Sequence, residues 1–476
     1  MKSYKKGFVS GNFFVLHPGH IRFLRFAASV CERLFIGVRS TRPTEVYPTV
    51  EQRIHLLLAL NFTIDIFPIE LPLEHHLHEI KPDVVIKGNE YRALDNPESD
   101  IVGVWGGEVL FASGDANYTS SIYSRLDGDY YGVPFLLRPR SFTARNNCDP
   151  DTLRSLVGKF CGLRISVLGD LIIDEYIACE ALGMSREDAT IVVSPVESHR
   201  YLGGAGIVSA HASALGASVR FISLISDDEV GDFALHKLEQ YGVQVLAFRE
   251  TARPTTLKQR YKCDGKTMLR VSRLSQEDPS PEIQSRIIQA VEQAAPDSDC
   301  FVFSDFSYGC ITPTVVEAVS GYLHRLDITV SADSQSSSQS GDSTKVKGIS
   351  LLCATEYEAR SALRSQSMGL SALCAELIRR SGADNLILKL GAAGLVFLRA
   401  GQNPSDLNRI PALNPNSLDV VGAGDSLLIS ATMALAAGAS LAQAAYIGSV
   451  AAAVQVSRKG NTPLYRGELM EALQQH

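Results

Sequence analysis

The chain has 476 residues, with 45 Lys and Arg against 52 Asp and Glu and a formal net charge of −7. That balance excludes a protein that coats polyanions, so nucleic acid is not expected as a partner, although a local basic site stays open. Hydrophobic residues at 45% and charged residues at 20% are ordinary globular values; they exclude disordered and fibrous classes, and the length predicts two large domains or about three smaller ones.

The nine cysteines stand singly with no C-x-x-C, the pattern of reduced thiols in a cytoplasm without structural zinc. The start, MKSYKKGFVSGNFF, is basic but its apolar run is interrupted at once, so it does not read as a signal peptide. Over residues 1–126 two periods alternate. Residues 7–10 and 34–38 are short apolar runs of strand type, and between them Ile21, Leu24, Ala28 and Cys31 recur at helical steps. Helical patterns at 50–60 and 73–80 lead to strands at 64–67 and 84–87; a last strand at 108–112 precedes a helix-like segment at 120–126. This alternation predicts a parallel sheet with helices on both faces. Residues 127–147, rich in Tyr, Arg, Pro and Asn, break the rhythm and read as a connection, after which Asp149-Pro150-Asp151 is a capped helix start. The expected division is a domain over 1–130, a linker with a leading helix over 131–160, and a domain over 161–476.

From Arg164 a second strand and helix series runs to the end. Residues 176–201, with Thr190, Ile191, Val192 and Val193 alternating, read as a small strand pair standing off the main sheet. Residues 331–343, SADSQSSSQSGDS, read as a flexible surface loop, or as one that closes over a polar substrate. The Ala- and Gly-rich region 427–456 holds Ser440, Gln443 and Ser449, so two buried helices explain it better than a membrane span.

Gly11-Asn12-Phe13-Phe14-Val15-Leu16-His17-Pro18-Gly19-His20 follows a strand and opens a helix. Such a turn offers free N–H groups to phosphate, and two imidazoles three apart can donate to oxygens that gain charge. The segment resembles the H-x-G-H signature of the cytidylyltransferase-like nucleotidyltransferases, over residues 5–126. The resemblance implies that His17, His20 and Lys87 act on the triphosphate, and that Gly11, Phe13, Thr119 and Ser120 contact nucleotide. Arg42 stands in a shortened loop where the family has a lysine, and is taken to supply that cation. The neighbouring His75-His76-Leu77-His78 could ligate a metal, but a solvated helix face is preferred.

Asp419-Val420-Val421-Gly422-Ala423-Gly424-Asp425 precedes a long apolar helix. Small residues at its start bare N–H groups for a transferring phosphoryl group, and Asp425 stands where it can take a proton from an attacking hydroxyl. Gly265-Lys266-Thr267 lacks the full Walker form. The seven-residue motif resembles the D-x-x-G-A-G-D signature of the ribokinase/phosphofructokinase-B sugar kinases, with supporting matches over 164–476. The resemblance implies a ribokinase-like α/β fold with a small β lid that mediates dimers. It assigns Asp170, Asp174, Gly203 and Gly204 to the sugar and Gly422, Ala423 and Gly424 to the anion hole. Lys389, Gly391, Gly394 and Asn461 fall to the nucleotide. Glu356, with Cys353 in the asparagine position, stands for the residue that acts on Mg²⁺ through water.

Together the halves resemble the bifunctional heptose 7-phosphate kinase / heptose 1-phosphate adenylyltransferases of bacterial surface-polysaccharide synthesis, with the domain order reversed. That implies ATP and Mg²⁺, CTP as the alternative at the N-terminal site, a sugar phosphate as substrate, no membrane partner, and a homodimer formed through the lid.

Overall fold

The structure, a computed structural model, describes residues 4–13, 23–24, 26–28, 30–39, 49–58, 64–88, 96–112, 136–185, 187–188, 190–263, 266–335, 342–414 and 417–474. The chain divides into two units, Met1–Gly132 and Val133–His476.

In the first unit, alternation along the strands decides the layers. In β1, Tyr4–Gly11, Phe8 packs with Leu77, Val85 and Val102, while Val9 packs with Leu24, Leu34, Ile36 and Leu57; successive side chains of a strand must part to opposite faces. The other strands are β2, Cys31–Arg39, β3, Ile64–Ile69, β4, Val84–Gly88, and β5, Glu108–Ala112. All pair in parallel, in the order β3-β2-β1-β4-β5. Helix Val50–Leu58 covers one face, and helices Leu73–Ile80 and Glu98–Gly103 cover the other. This is the expected Rossmann-like sheet.

The second unit is built on nine strands. They are β6, Arg164–Gly169, β9, Ser218–Ile225, β10, Gln244–Arg249, β13, Cys300–Asp305, β14, Thr329–Ser334, β15, Leu351–Thr355, β16, Asn385–Lys389, β17, Leu395–Arg399, and β18, Asn408–Ile410. Their order is β10-β9-β6-β13-β14-β15-β16-β17-β18, parallel as far as β16 and antiparallel beyond it. Val302 joins one apolar cluster, and Phe301 and Phe303 on either side of it join the other. Strands covered on both faces read as continuous apolar runs. The first cluster also takes in helices Ala423–Ala436 and Leu441–Gln455, which accounts for their all-round hydrophobicity. Among the described residues no helix is long and apolar enough to cross a membrane.

The segment expected as linker and leading helix carries the helix Pro150–Gly158, and its Leu136, Phe142, Leu153, Leu156, Val157 and Phe160 are buried in that same cluster. One expectation changes here. The polar run at 331–343 begins as the central strand β14, not as a loop. Ser331, Asp333 and Ser334 are buried there because each has a partner: Thr432 Oγ1 donates to Ser331 Oγ at 2.8 Å, Ser334 Oγ donates to Asp305 at 3.0 Å, and Asp333 pairs with Lys389.

A four-stranded lid stands off the main sheet. Its strands are β7, Leu171–Met184, β8, Ile191–Gly203, β11, Thr256–Cys263, and β12, Lys266–Arg273, in the order β12-β11-β7-β8. The strand pair expected at 176–201 is β7 with β8, antiparallel from Ile172↔Gly203 outward. The added pair β11-β12 includes Lys266 and Thr267, so the Walker-like tripeptide runs into an antiparallel hairpin strand.

Candidate active site

The helix Ala423–Ala436 starts from Gly422, which has φ +80°. An added Cβ there would stand 1.9 Å from Asn461 Oδ1, so both the left-handed backbone and the space require glycine. Asp419 shapes the turn: its Oδ1 accepts from Val421 N at 3.2 Å, and its Oδ2 accepts from Gly460 N and the Tyr176 hydroxyl, both at 3.2 Å. The N–H groups of Gly424 and Asp425 have no protein acceptor among the described residues. They are the orphan donors of a helix N-terminus, where the dipole favours an anion.

Asp425 is buried beside them, with Gln335 Nε2 3.4 Å from its Oδ1. Burial pushes its carboxyl up to about 7; Asp333 and Asp174 add to this, and Lys389 and Lys258 oppose it. A carboxylate raised to that range can both hold and release a proton near neutrality. Lys389, at the end of β16, is buried against Asp333, and its ammonium would lie 3.2 Å from a Cβ at Gly424. Burial alone would lower its proton affinity, but Asp333 and Glu358 raise it, so it stays a fixed cation at the anion hole.

Asp425 and the turn line a cleft of about 960 Å³. On the lid side it is walled by Asp174, Lys258, Arg260 and Arg270. Asp174 pairs with Arg260 at 2.6 Å. The Lys258 ammonium lies 5.1 Å from the ring centroid of Tyr308 and 5.5 Å from that of Phe306. Neither Lys258 nor Arg270 has a carboxylate partner among the described residues. Gly204, Lys389, Gly391, Gly394, Gly422, Ala423, Gly424, Asp425 and Asn461 also line the cleft, so the structure brings together most of the residues expected of a kinase site.

Three expected residues sit differently. Asp170 is buried and does not line this cleft, and its carboxylate accepts from Phe306 N at 2.8 Å, Tyr308 N at 3.2 Å and Cys310 N at 2.9 Å. Of the two aspartates expected at the sugar, Asp174 lines the cleft and Asp170 does not. Gly203 is the N-cap of helix Gly204–Ala214, and its Cα packs on Asp174, where a Cβ would lie 2.5 Å from Oδ2. Glu356 pairs with Arg360 at 2.7 Å and does not line the cleft. Glu358 does, and its pKa is raised by burial and by Asp333. The signal for Glu358 is local. Thr355 and Glu358 form a reciprocal capping box at the start of helix Glu356–Leu363, which aims the third residue back at the strand end.

In the first unit, His17, His20, Arg42, Thr119 and Ser120 lie outside the described residues. Gly11 ends β1; a Cβ on it would stand 2.9 Å from the Phe13 ring, and Phe13 is buried with φ +47°. Lys87 stands next to last in β4 and pairs with Glu98 at 3.0 Å. Arg53 is a residue the sequence reasoning missed: fully buried, it donates to the carbonyls of Asn12 and Arg39 and so ties the β1 loop to the end of β2. Its place between Val50 and Leu57 on a buried helical stripe is the mark it leaves in the sequence.

Two family models match the chain: pfkB family carbohydrate kinase over residues 163–465 and cytidylyltransferase-like over residues 8–106. Among curated proteins it is 30% identical over 323 residues to the bifunctional protein HldE of Geotalea uraniireducens, a match covering 67% of this chain and 64% of that one. It is 31% identical over 324 residues to the HldE of Caulobacter vibrioides, covering 67% and 65%. The chain thus spans just under two thirds of the length of these relatives. Among solved structures, an Arabidopsis thaliana ribokinase complexed with ribose and ATP superposes with a TM-score of 0.53 at 16% identity, over 66% of this chain and 99% of that one. Phosphofructokinase-2 of Escherichia coli does so with 0.53 at 15% identity, over 65% and 98%. These two share the fold. The first family match takes in well over half of the residues, the glycine turn included, and on that ground the chain belongs to the pfkB family of carbohydrate kinases.

Proposed function

We propose that the second unit phosphorylates a sugar phosphate with ATP. The first unit then joins the resulting sugar 1-phosphate to a nucleotide and releases pyrophosphate, making an activated sugar of the ADP-heptose type for bacterial surface polysaccharide. The observation that carries this reading is the pair of lid cations without carboxylate partners among the described residues, Lys258 and Arg270, which line the same cleft as Asp425. A neutral sugar needs hydroxyl partners such as Asp174; a phosphate on the acceptor needs cations.

In the kinase step Asp425 takes the proton of the attacking hydroxyl. The N–H groups of Gly424 and Asp425 hold the γ-phosphoryl oxygens as it moves, and the Lys389 ammonium offsets their charge. The oxygen donors of Glu358, which lines the cleft, would suit Mg²⁺. Mg²⁺, when bound, neutralises charge on the ATP phosphates. In the transferase step the sugar phosphate is itself the nucleophile, so His17, His20 and Lys87 act by stabilising charge, with CTP the alternative to ATP there. The enzyme works in the cytoplasm as a homodimer paired through the lid, whose outer face exposes Leu182, Met184, Val196 and Leu269.

The test offers ATP and CTP with heptose 7-phosphate and measures ADP and pyrophosphate separately. Asp425→Asn abolishes ADP formation and leaves pyrophosphate release from supplied heptose 1-phosphate; His17→Ala does the reverse. Kinase turnover surviving in Asp425→Asn would remove the base assignment, and ADP without pyrophosphate would reduce the first unit to a binding module.

A further inference from the structure

The cleft that holds Gly424 and the Lys389 ammonium is also lined by Gly391, Ala392, Ala393 and Gly394, and the Gly394 Cα packs on the Ile410 carbonyl and on Pro411. Apolar residues line it as well, among them Pro411, Leu413, Ala453 and Val456. One more apolar side chain joins them, and it comes from outside the family match that begins at residue 163. It is Leu137, on the segment that leads into the second unit.

Leu137 is held firmly. Its N–H donates to the Leu413 carbonyl at 2.7 Å. Leu136 before it is buried in the core. Phe142, in the short helix that follows, packs against Phe397 and Tyr446 with ring centroids 6.0 and 5.9 Å away. The opposite loop is fixed too, since Asn414 Nδ2 donates to the Ala453 carbonyl at 2.9 Å. Yet the Leu137 side chain is 44% exposed. An apolar side chain held on a rigid backbone, half open to a cleft, is a contact that a flat apolar ligand completes.

We infer that Leu137 is a base-binding residue of the kinase nucleotide site, packing against the heterocycle of the ATP whose γ-phosphoryl group lies at Gly424. The inference rests on the proposed kinase reading for the identity of the ligand. Leu413, which holds Leu137, follows the edge strand β18, whereas the lid leaves the sheet at β6, six strands away, so the slot serves the nucleotide and not the acceptor. The kinase site therefore includes the lead-in segment, and the core of the family match is not by itself the whole nucleotide pocket.

The test uses the full chain with Leu137→Ser and Leu137→Met, ADP affinity by calorimetry, and KM for ATP and for the sugar phosphate. Leu137→Ser weakens ADP and raises the ATP KM roughly tenfold, the effect of losing a half-buried leucine contact. Its kcat, acceptor KM and thermal midpoint stay within twofold or two degrees of the parent, and Leu137→Met restores ADP affinity. Unchanged ADP affinity in Leu137→Ser overturns the inference, and so does a loss shared equally by ADP affinity, acceptor KM and kcat. ADP binding needs no turnover, which separates the two readings. A chain that binds ADP through Leu137 but phosphorylates no sugar phosphate sinks the proposed function alone; one that binds no ADP sinks both.

Discussion

Asp425 can act as a base only once its proton has left, and its surroundings oppose that loss. Burial comes first, then the Asp333 and Asp174 carboxylates, against which the nearby lysine ammoniums work, and together they place the carboxyl at about 7 instead of near 4. Two opposite pH dependences follow. Proton abstraction needs the ionised form, so the kinase kcat/KM of the proposed reaction rises with pH and levels off above about 7. Stability runs the other way. A carboxyl that holds its proton more tightly folded than unfolded stabilises the fold fully below the ordinary carboxylate range, and the benefit is lost as pH climbs through the folded value. Over pH 4–7 the free protein therefore loses stability from this group, and Asp425→Asn, which cannot ionise, melts a few degrees higher than the parent at pH 8 while losing kinase turnover. Thermal melts of both proteins at pH 5 and pH 8 check this; equal midpoints at pH 8 would mean that the carboxyl is not strained by its site.

At the scale of elements, the helix Glu356–Leu363 separates two glutamates that the sequence leaves hard to tell apart. Its capping box fixes Glu358, with Thr355 N donating to Oε2 at 2.7 Å, and turns that side chain to the cleft; Glu356, one turn before Arg360, is drawn into a helix-surface ion pair. Glu358→Gln keeps an acceptor for the cap, so the helix survives, but it removes a charge beside the proposed Mg²⁺ position. The expected result is a fall in kinase rate of about tenfold or more with a higher Mg²⁺ requirement, against a change within twofold for Glu356→Gln. A titration of rate against Mg²⁺ for both variants decides, and the reverse ranking would restore Glu356. Spacing from an expected asparagine led to Glu356, whereas the T-x-x-E cap, fully visible in the sequence, points to Glu358. The same lesson holds for β14. A run of Ser, Asp and Gln carries no strand signal of its own, because what makes it a central strand is the distant partners Asp305, Lys389 and Thr432.

Across the whole molecule, the parallel parts of both sheets were legible because strands buried on two faces are written as apolar runs separated by helical periods. The glycine turn was legible because its chemistry is contiguous in the chain. The lid strands β11 and β12 were not. Lys258, Arg260, Lys262, Arg270 and Arg273 make them charged, β12 is exposed throughout and β11 is mostly half-buried, so neither carries a clean apolar alternation, and with them went the cations that favour a phosphorylated acceptor. Among the exposed side chains of the lid are large apolar ones: Leu182, Met184, Val196 and Leu269 are each more than half exposed, with Val196 at 65% and Leu269 at 57%. Several such side chains on one small sheet form the kind of patch that another protein surface covers, and the proposed homodimer is the occupant that leaves the cleft free. Val196→Asp with Leu269→Asp then shifts the protein from dimer to monomer in sedimentation velocity at micromolar concentration. Because Asp174, Lys258, Arg260 and Arg270 ride on the same sheet, loss of the partner loosens the acceptor end of the cleft and raises the sugar-phosphate KM severalfold, while ATP affinity, set at the opposite end, stays within twofold. A parent protein that sediments as a monomer would overturn the dimer. A double variant that turns monomeric with its acceptor KM unchanged would show that the lid holds its cations in place without a partner.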